Sequence, residues 1–370
     1  MELRERIGRF ARDRIRGRAD LQTSESFPLD LWAEMGRESL LGLGLPEVYG
    51  GGGADPKELI AAGAALVRGG RNLGVGASWL THNVVSRFMI LGFGNEEQRR
   101  RYLPDLAGGR ITASVAISEP GAGAHPKLLQ TRAVKSAGQF VLEGEKAYLT
   151  NGPMADLFVV LAVTGVENER KRFTAFLVPK ATPGLSLTQA GSVDFLRPSP
   201  HCGLRLEGCQ IPPENVLGPE GKAFETMGRP LRDFEDGLAA GLTLGGMEAE
   251  VDLLVERGAR AEIAINDAMR EGLGELRAHL AGVAAVTEAI GDALAGGAWQ
   301  MRLPTLALAV RRFAGLFQGG LAALARDIGL DGDAVRERLA SDLIRFASVG
   351  RTAHLARLRQ LGAWTPSEEN

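Results

Sequence analysis

Residues 117–124 read Ile117-Ser118-Glu119-Pro120-Gly121-Ala122-Gly123-Ala124, and downstream comes Glu143-Gly144-Glu145-Lys146-Ala147-Tyr148-Leu149-Thr150-Asn151-Gly152. The first stretch leaves a strand and turns through Gly121 and Gly123, whose bare backbone N–H groups can approach an anion closely. The second runs into a turn at Asn151-Gly152. Around both, apolar residues recur with a period of two: Phe140 to Leu142, Leu157 to Val163, Phe173 to Val178, Leu185 to Leu187 and Leu204 to Leu206. Short strands at this spacing, divided by Ser136-Ala137-Gly138 and Thr182-Pro183-Gly184, predict a small antiparallel barrel or sandwich.

On either side the period changes to that of a helix. Leu3, Ile7 and Phe10, then Leu29, Leu31, Trp32, Met35 and Leu40, then Leu59 through Val67 predict a helical N-terminal block, with Asp20, Asp30 and Asn95 as N-caps. After the β region, Leu273, Leu276, Leu280, Val283, Val286, Ile290 and Leu294 make one stripe. Leu306, Val310, Phe313, Phe317, Leu321, Leu324 and Ile328 make another. The predicted organisation is α+β and multidomain: an N-terminal helical domain over 1–110, a central β domain over 111–222 and a C-terminal four-helix bundle over 223–370.

Composition narrows the function classes. The chain has 370 residues, with 43 Lys and Arg against 45 Asp and Glu. That balance offers no basic excess to a phosphate backbone or an anionic lipid surface, so nucleic acid and membrane are not expected partners. No stretch approaches the roughly 20 apolar residues of a membrane helix. The opening MELRERIGRFARDRIRGRAD is charged rather than an apolar leader, so the cytoplasm is the expected compartment. Cys202 and Cys209 have no second Cys or His pair beside them, which leaves no basis for a zinc site or a disulfide framework.

The two segments quoted first resemble the acyl-CoA dehydrogenase family of flavoproteins, which writes them roughly T-E-P-x-A-G-S-D and L-x-G-x-K-x-[WF]-I-T-N-[GA]. Further family-like segments follow in family order. They are Phe27-Pro28 with Trp32, Leu43 through Gly51, Gly94 through Gln98 with Arg101 through Pro104, and Ile211 through Gly218. The resemblance implies a noncovalent FAD between the β domain and the C-terminal bundle. Ile117 and Ser118 would meet the pyrimidine side of the flavin, Gly123 and Ala124 its pyrophosphate, and Tyr148 and Thr150 the ring face and the N5 edge. A hydroxyl and an aromatic suit those places, since one tunes the hydride acceptor and the other packs on the ring. Taken as residues alone, Tyr148 and Thr150 also read as ordinary strand residues.

The chemistry the resemblance implies needs a carboxylate to remove the α-proton of an acyl thioester. Most family members carry that Glu near the C-terminus, where this sequence has Gly350 within Ser348-Val349-Gly350-Arg351-Thr352. A branch resembling isovaleryl-CoA dehydrogenase takes the base from the first helix of the C-terminal bundle, and Glu235 in Asp233-Phe234-Glu235-Asp236 falls on that position. The competing reading is that Glu235 is one of several acids drawn to a helix N-terminus by the dipole.

Departures from the family accumulate toward the end of the chain. Ala124-His125 replaces the family Ser-Asp, and Asp236 replaces an Arg after the base. Of the Arg-x-x-Phe-Gly segment that reaches a neighbouring subunit's FAD, only Arg260 survives. The predicted function is FAD-dependent dehydrogenation of an acyl thioester carried on CoA or on an acyl-carrier protein. Electrons would pass to an electron-transfer flavoprotein or to oxygen, within a homodimer, homotetramer or hetero-oligomer. The alternatives are a catalytically degenerate binding or scaffold subunit, or an oxygen-using flavin enzyme on the same fold.

Overall fold

The computed structural model describes residues 2–296 and 299–362. The first block is α1 (Glu2–Arg14), α2 (Asp20–Thr23), α3 (Leu29–Arg37), α4 (Pro56–Gly70), α5 (Leu73–Asn83) and α6 (Glu96–Ala107). Two of these begin with reciprocal capping boxes: Asp55 with Glu58 ahead of α4, and the expected Asn95 with Gln98 ahead of α6. Asp20 and Asp30 are not caps. Each lies inside a first turn, after Ala19 and Pro28 respectively, and both carboxylates are taken by the Arg18 guanidinium, at 2.6 and 2.8 Å.

The middle block is β1 (Ala113–Ala116), β2 (Arg132–Ser136), β3 (Gln139–Thr150), β4 (Leu157–Glu167), β5 (Arg170–Pro179), β6 (Leu185–Thr188), β7 (His201–Ile211) and β8 (Val216–Leu217). They form one sheet in the order β6-β7-β3-β2-β4-β5-β8, with β1 also on β4. Where an antiparallel barrel or sandwich is expected, the structure has an open, mixed sheet. β1 and β2 both meet β4 in parallel. Parallel neighbours cannot be joined by a hairpin; the glycine turn after β1 leads to β2, which meets β4 further along the same strand. On β4, Phe158 and Val160 enter a core inside the sheet, whereas Leu157, Val159 and Leu161 join the core shared with the helices. Cys202 and Cys209 are buried in the sheet core as free thiols, and burial pushes Cys202 up to about 11.

The last block is α7 (Arg229–Arg260), α8 (Asp267–Ala295), α9 (Trp299–Asp327), α10 (Ala334–Ser348) and α11 (Arg351–Leu361). The predicted stripes face inward: Leu276, Val283, Ile290, Val310, Phe317 and Leu321 are all buried. α7 to α10 pack as the expected bundle, and α11 adds a fifth, short helix. α7 also lies against α4. A Cβ on Gly241 would sit 2.3 Å from the Ile60 carbonyl oxygen, and one on Gly245 would sit 2.2 Å from that of Ala64. These glycines, one helical turn apart, let the two backbones touch and join the N-terminal helices to the bundle. No helix among the described residues is long and apolar enough to cross a membrane.

Gly241→Ala and Gly245→Ala should each destabilise by roughly 1–3 kcal/mol, because backbone cannot give way as a side chain can. Gly274→Ala, an exposed α8 position where a Cβ meets open space, should gain roughly 0.5–1 kcal/mol. Thermal unfolding of the three variants checks both signs.

Candidate active site

Ile117 and Ser118 leave the end of β1 beside β3. The Ser118 carbonyl accepts from the Ala147 N–H at 2.9 Å, and the Ile117 carbonyl accepts from Lys146 Nζ at 3.1 Å. Lys146 is fully buried and pairs with Glu119 at 2.8 Å. Glu119 also accepts from the Gln130 and Thr131 N–H groups, at 2.6 and 2.9 Å. Burial works against this carboxylate, but the Lys146 charge and the N–H donors outweigh it and hold Glu119 below the usual carboxylate range. Burial in turn pulls the Lys146 ammonium down to about 8, although Glu119 opposes it.

The pair holds the glycine turn in place. Glu119 and Gly123 exchange backbone hydrogen bonds at 2.9 and 3.0 Å. Gly121 (φ +72°) and Gly123 (φ +56°) adopt left-handed conformations, and a Cβ on either would meet nothing within 4 Å. Glycine is needed here for conformation, and the space before the turn is open. The Gly121 and Ala124 N–H groups donate to no acceptor among the described residues, which leaves a small backbone nest for an anion.

On β3, register against β7 breaks between Lys146 and Leu149, and Tyr148 sits in that bulge at φ +63° with 56% of its surface exposed. A bulge re-aims a side chain, and here it turns a large aromatic ring out of the sheet. Gly191 lies against it: a Cβ there would be 2.7 Å from the ring. Thr150 Oγ1 is 3.0 Å from His201 Nε2, and His201 Nδ1 is 3.0 Å from the Ser199 carbonyl. A carbonyl only accepts, so Nδ1 carries the proton and Nε2 accepts from the Thr150 hydroxyl. Burial keeps the imidazole pKa low, which favours the neutral ring. The free side of the Thr150 oxygen is therefore an acceptor. His201 carries no motif signal in the sequence.

Glu235 lies on α7. The dipole reading of its position fails, because α7 starts at Arg229 and has no acid in its first turn. Its two acidic neighbours are fully engaged. Asp233 pairs with Arg357, and Asp236 accepts from Arg311 at 3.0 Å and Arg357 at 2.9 Å, with His354 Nε2 at 3.5 Å. Glu235 is partly buried and has no hydrogen-bond partner among the described residues. Burial raises its pKa, Arg232 and then Arg311 oppose the rise, and Asp236 adds to it. Asp236, despite burial, is held far below the carboxylate range by His354 and the arginines.

Six of the expected residues, Ile117, Ser118, Gly123, Ala124, Tyr148 and Thr150, thus lie along the adjoining ends of β1 and β3. Arg260 is not brought to them or to Glu235. It is the exposed last residue of α7, roughly 38 Å along the helix from Glu235 at 1.5 Å per residue.

The acyl-CoA dehydrogenase N-terminal domain family matches residues 1–110, and the middle domain family matches 114–209. An acyl-CoA dehydrogenase of Bacillus subtilis is 34% identical over 259 residues, which are 69% of this chain and 68% of that protein. The chain belongs to the acyl-CoA dehydrogenase family. The mitochondrial isovaleryl-CoA dehydrogenase of rice is 35% identical over 257 residues, again 69% of this chain, and the match spans 62% of that relative's length. In fold, a putative acyl-CoA dehydrogenase of Mycobacterium smegmatis superposes with a TM-score of 0.86 at 24% identity, covering 98% of each chain. A prolyl acyl carrier protein oxidase superposes at 0.82 and 25% identity, also covering 98% of each.

Acyl-CoA dehydrogenases use FAD, and one end of this site fits it. The open glycine turn with unused N–H groups suits the pyrophosphate and the uncovered Tyr148 ring suits the flavin, whereas Thr150, its proton given to His201, lacks the donor expected of it. Arg260, at the other end of α7, takes no part in this site within this chain.

Lys146→Met strands a buried Glu119 carboxylate, at a cost of roughly 3–5 kcal/mol. The variant should melt earlier and take up FAD more weakly, and Lys146→Met with Glu119→Gln should recover part of the loss. Calorimetry with FAD titration of both checks this.

Proposed function

We propose that the protein dehydrogenates an acyl thioester, with Glu235 removing the α-proton. The observation that carries this reading is the difference among three neighbouring acids: Asp233 and Asp236 are saturated by arginines, whereas Glu235 is left without a partner. A partly desolvated, unpaired carboxylate has the raised basicity that α-proton removal requires. Bound FAD supplies the hydride acceptor for the β-carbon. Gly121 and Ala124 offer N–H groups to its phosphates and Tyr148 covers the ring, whereas Thr150, its proton given to His201, has no donor for N5 of the oxidised ring.

The acyl group rides on CoA or on a carrier protein. Two points favour the carrier protein. Asp236 replaces the family cation after the base and takes up Arg311 and Arg357. One similar structure is that of a prolyl acyl carrier protein oxidase. We assign electron acceptance to an electron-transfer flavoprotein or oxygen, assembly to a homo-oligomer, and residence to the cytoplasm. A degenerate scaffold subunit would account for Ala124 and the eroded surroundings of Arg260, but it gives the unpaired Glu235 no role.

Anaerobic titration of the FAD-loaded protein with acyl thioesters on CoA and on a carrier protein, followed by flavin absorbance, tests this function. At least one class should bleach the flavin. A protein that refuses FAD, or that no thioester bleaches, contradicts the proposal. Glu235→Gln should slow reduction by about 10²-fold or more. The base works only when deprotonated, and its pKa is raised, so the rate should fall on acidification through a midpoint above the ordinary Glu value. Single-turnover reduction against pH measures that midpoint.

A further inference from the structure

We propose that Arg232 is a positioning residue of this site: held over Gly350, its guanidinium stays beside Glu235 and supplies the positive charge that the Glu235 carboxylate answers. The inference rests on the reading of Glu235 as the base.

The first observation is steric. Gly350 follows α10 at φ +73°, and a Cβ built on it would lie 1.4 Å from Arg232 Nη2. No other glycine among the described residues has a side-chain atom so deep in the space its Cβ would fill. The guanidinium therefore occupies the place of a side chain at 350, with Nη2 3.5 Å from the Val349 carbonyl. Arg232 and Gly350 fit each other, and only glycine admits the fit.

The second observation is charge balance. The charged and titratable groups at the Asp233–Asp236 segment, in which Glu235 lies, are Arg232, Asp233 and Asp236 on α7, Arg311 on α9, and His354 and Arg357 on α11. Three guanidiniums face two aspartates. Asp236 already accepts from Arg311 and Arg357, while Arg232 Nε is 3.6 Å from it, buried and without a hydrogen-bond partner. Arg232 is therefore the surplus cation, three residues before Glu235 on α7, and the arginines and carboxylates balance when Glu235 is ionised. Residues three apart on a helix are neighbours on its surface, and in a partly desolvated site a neighbouring opposite charge favours the ionised form. The device holds Glu235 as a carboxylate, ready to take a proton, without a hydrogen bond that would occupy it.

The test follows the Glu235 carboxyl directly. The infrared band of the protonated carboxyl, taken as the difference from Glu235→Gln, is titrated with pH in the parent, Arg232→Met, Arg232→Lys and Gly350→Ala proteins. The expected result is a midpoint at least one pH unit higher in Arg232→Met, a smaller shift in Arg232→Lys, and an upward shift in Gly350→Ala, which displaces the guanidinium without removing it. The acid limb of flavin reduction should move with it. Midpoints equal to the parent in Arg232→Met and Gly350→Ala would overturn the inference. A stability cycle tests the steric half: Gly350→Ala should lower the melting temperature much less in an Arg232→Ala background, and an equal drop in both would overturn it. If Glu235→Gln reduces its flavin at the parent rate, the base reading fails, while the infrared titration and the cycle still decide the role of Arg232.

Discussion

Asp236 is a buried carboxylate that cannot be left unpaired, and α7, α9 and α11 meet at it. Arg311 reaches it from α9, and Arg357 and His354 reach it from α11, so one ionised group ties three helices together. Removing either partner class from such a cluster would leave uncompensated charge in a low-dielectric interior. The consequence for chemistry lies in what the cluster does not include. By drawing in Arg311 and Arg357, Asp236 leaves Glu235, the adjacent residue, without a partner, and α7 presents it as the one uncommitted carboxylate of that segment.

The β domain contributes a second buried pair with a different task. Lys146 and Glu119 join β3 to the turn that leaves β1, so the glycine backbone and the Tyr148 bulge are positioned by one ion pair. Burial is tolerable there because the carboxylate also holds two backbone N–H groups and the ammonium a carbonyl, which satisfies the remaining polar groups. Glu235 and the residues at the ends of β1 and β3 thus sit on separate elements, each beside its own charge network. The close α4–α7 contact at Gly241 and Gly245 fixes α7 to the N-terminal helices.

Much of this was legible in the residues. The change of period from 3.6 to 2 and back marked three blocks because each element buries one face, and the Asn95 cap was readable because a capping box is local. Asp20 and Asp30 misled because an arginine, not a helix end, claims them. The open, mixed sheet was not legible, since alternation says that a strand has two faces and nothing about which strand lies beside it. Glu235 was found through a family pattern. That it is unpaired could not be read, because the partners of its neighbours stand 75 and more positions away. The fit of Arg232 over Gly350 and the orientation of Thr150 by His201 are likewise contacts between distant segments.

The central claim is that Glu235 removes the α-proton, and the most direct measurement is exchange of that proton with solvent. FAD-loaded protein incubated in deuterium oxide with an acyl thioester that it reduces slowly should place deuterium on the α-carbon, read by mass spectrometry. Glu235→Gln should lose this exchange while still binding the thioester. Equal deuterium incorporation by the parent and Glu235→Gln would contradict the account.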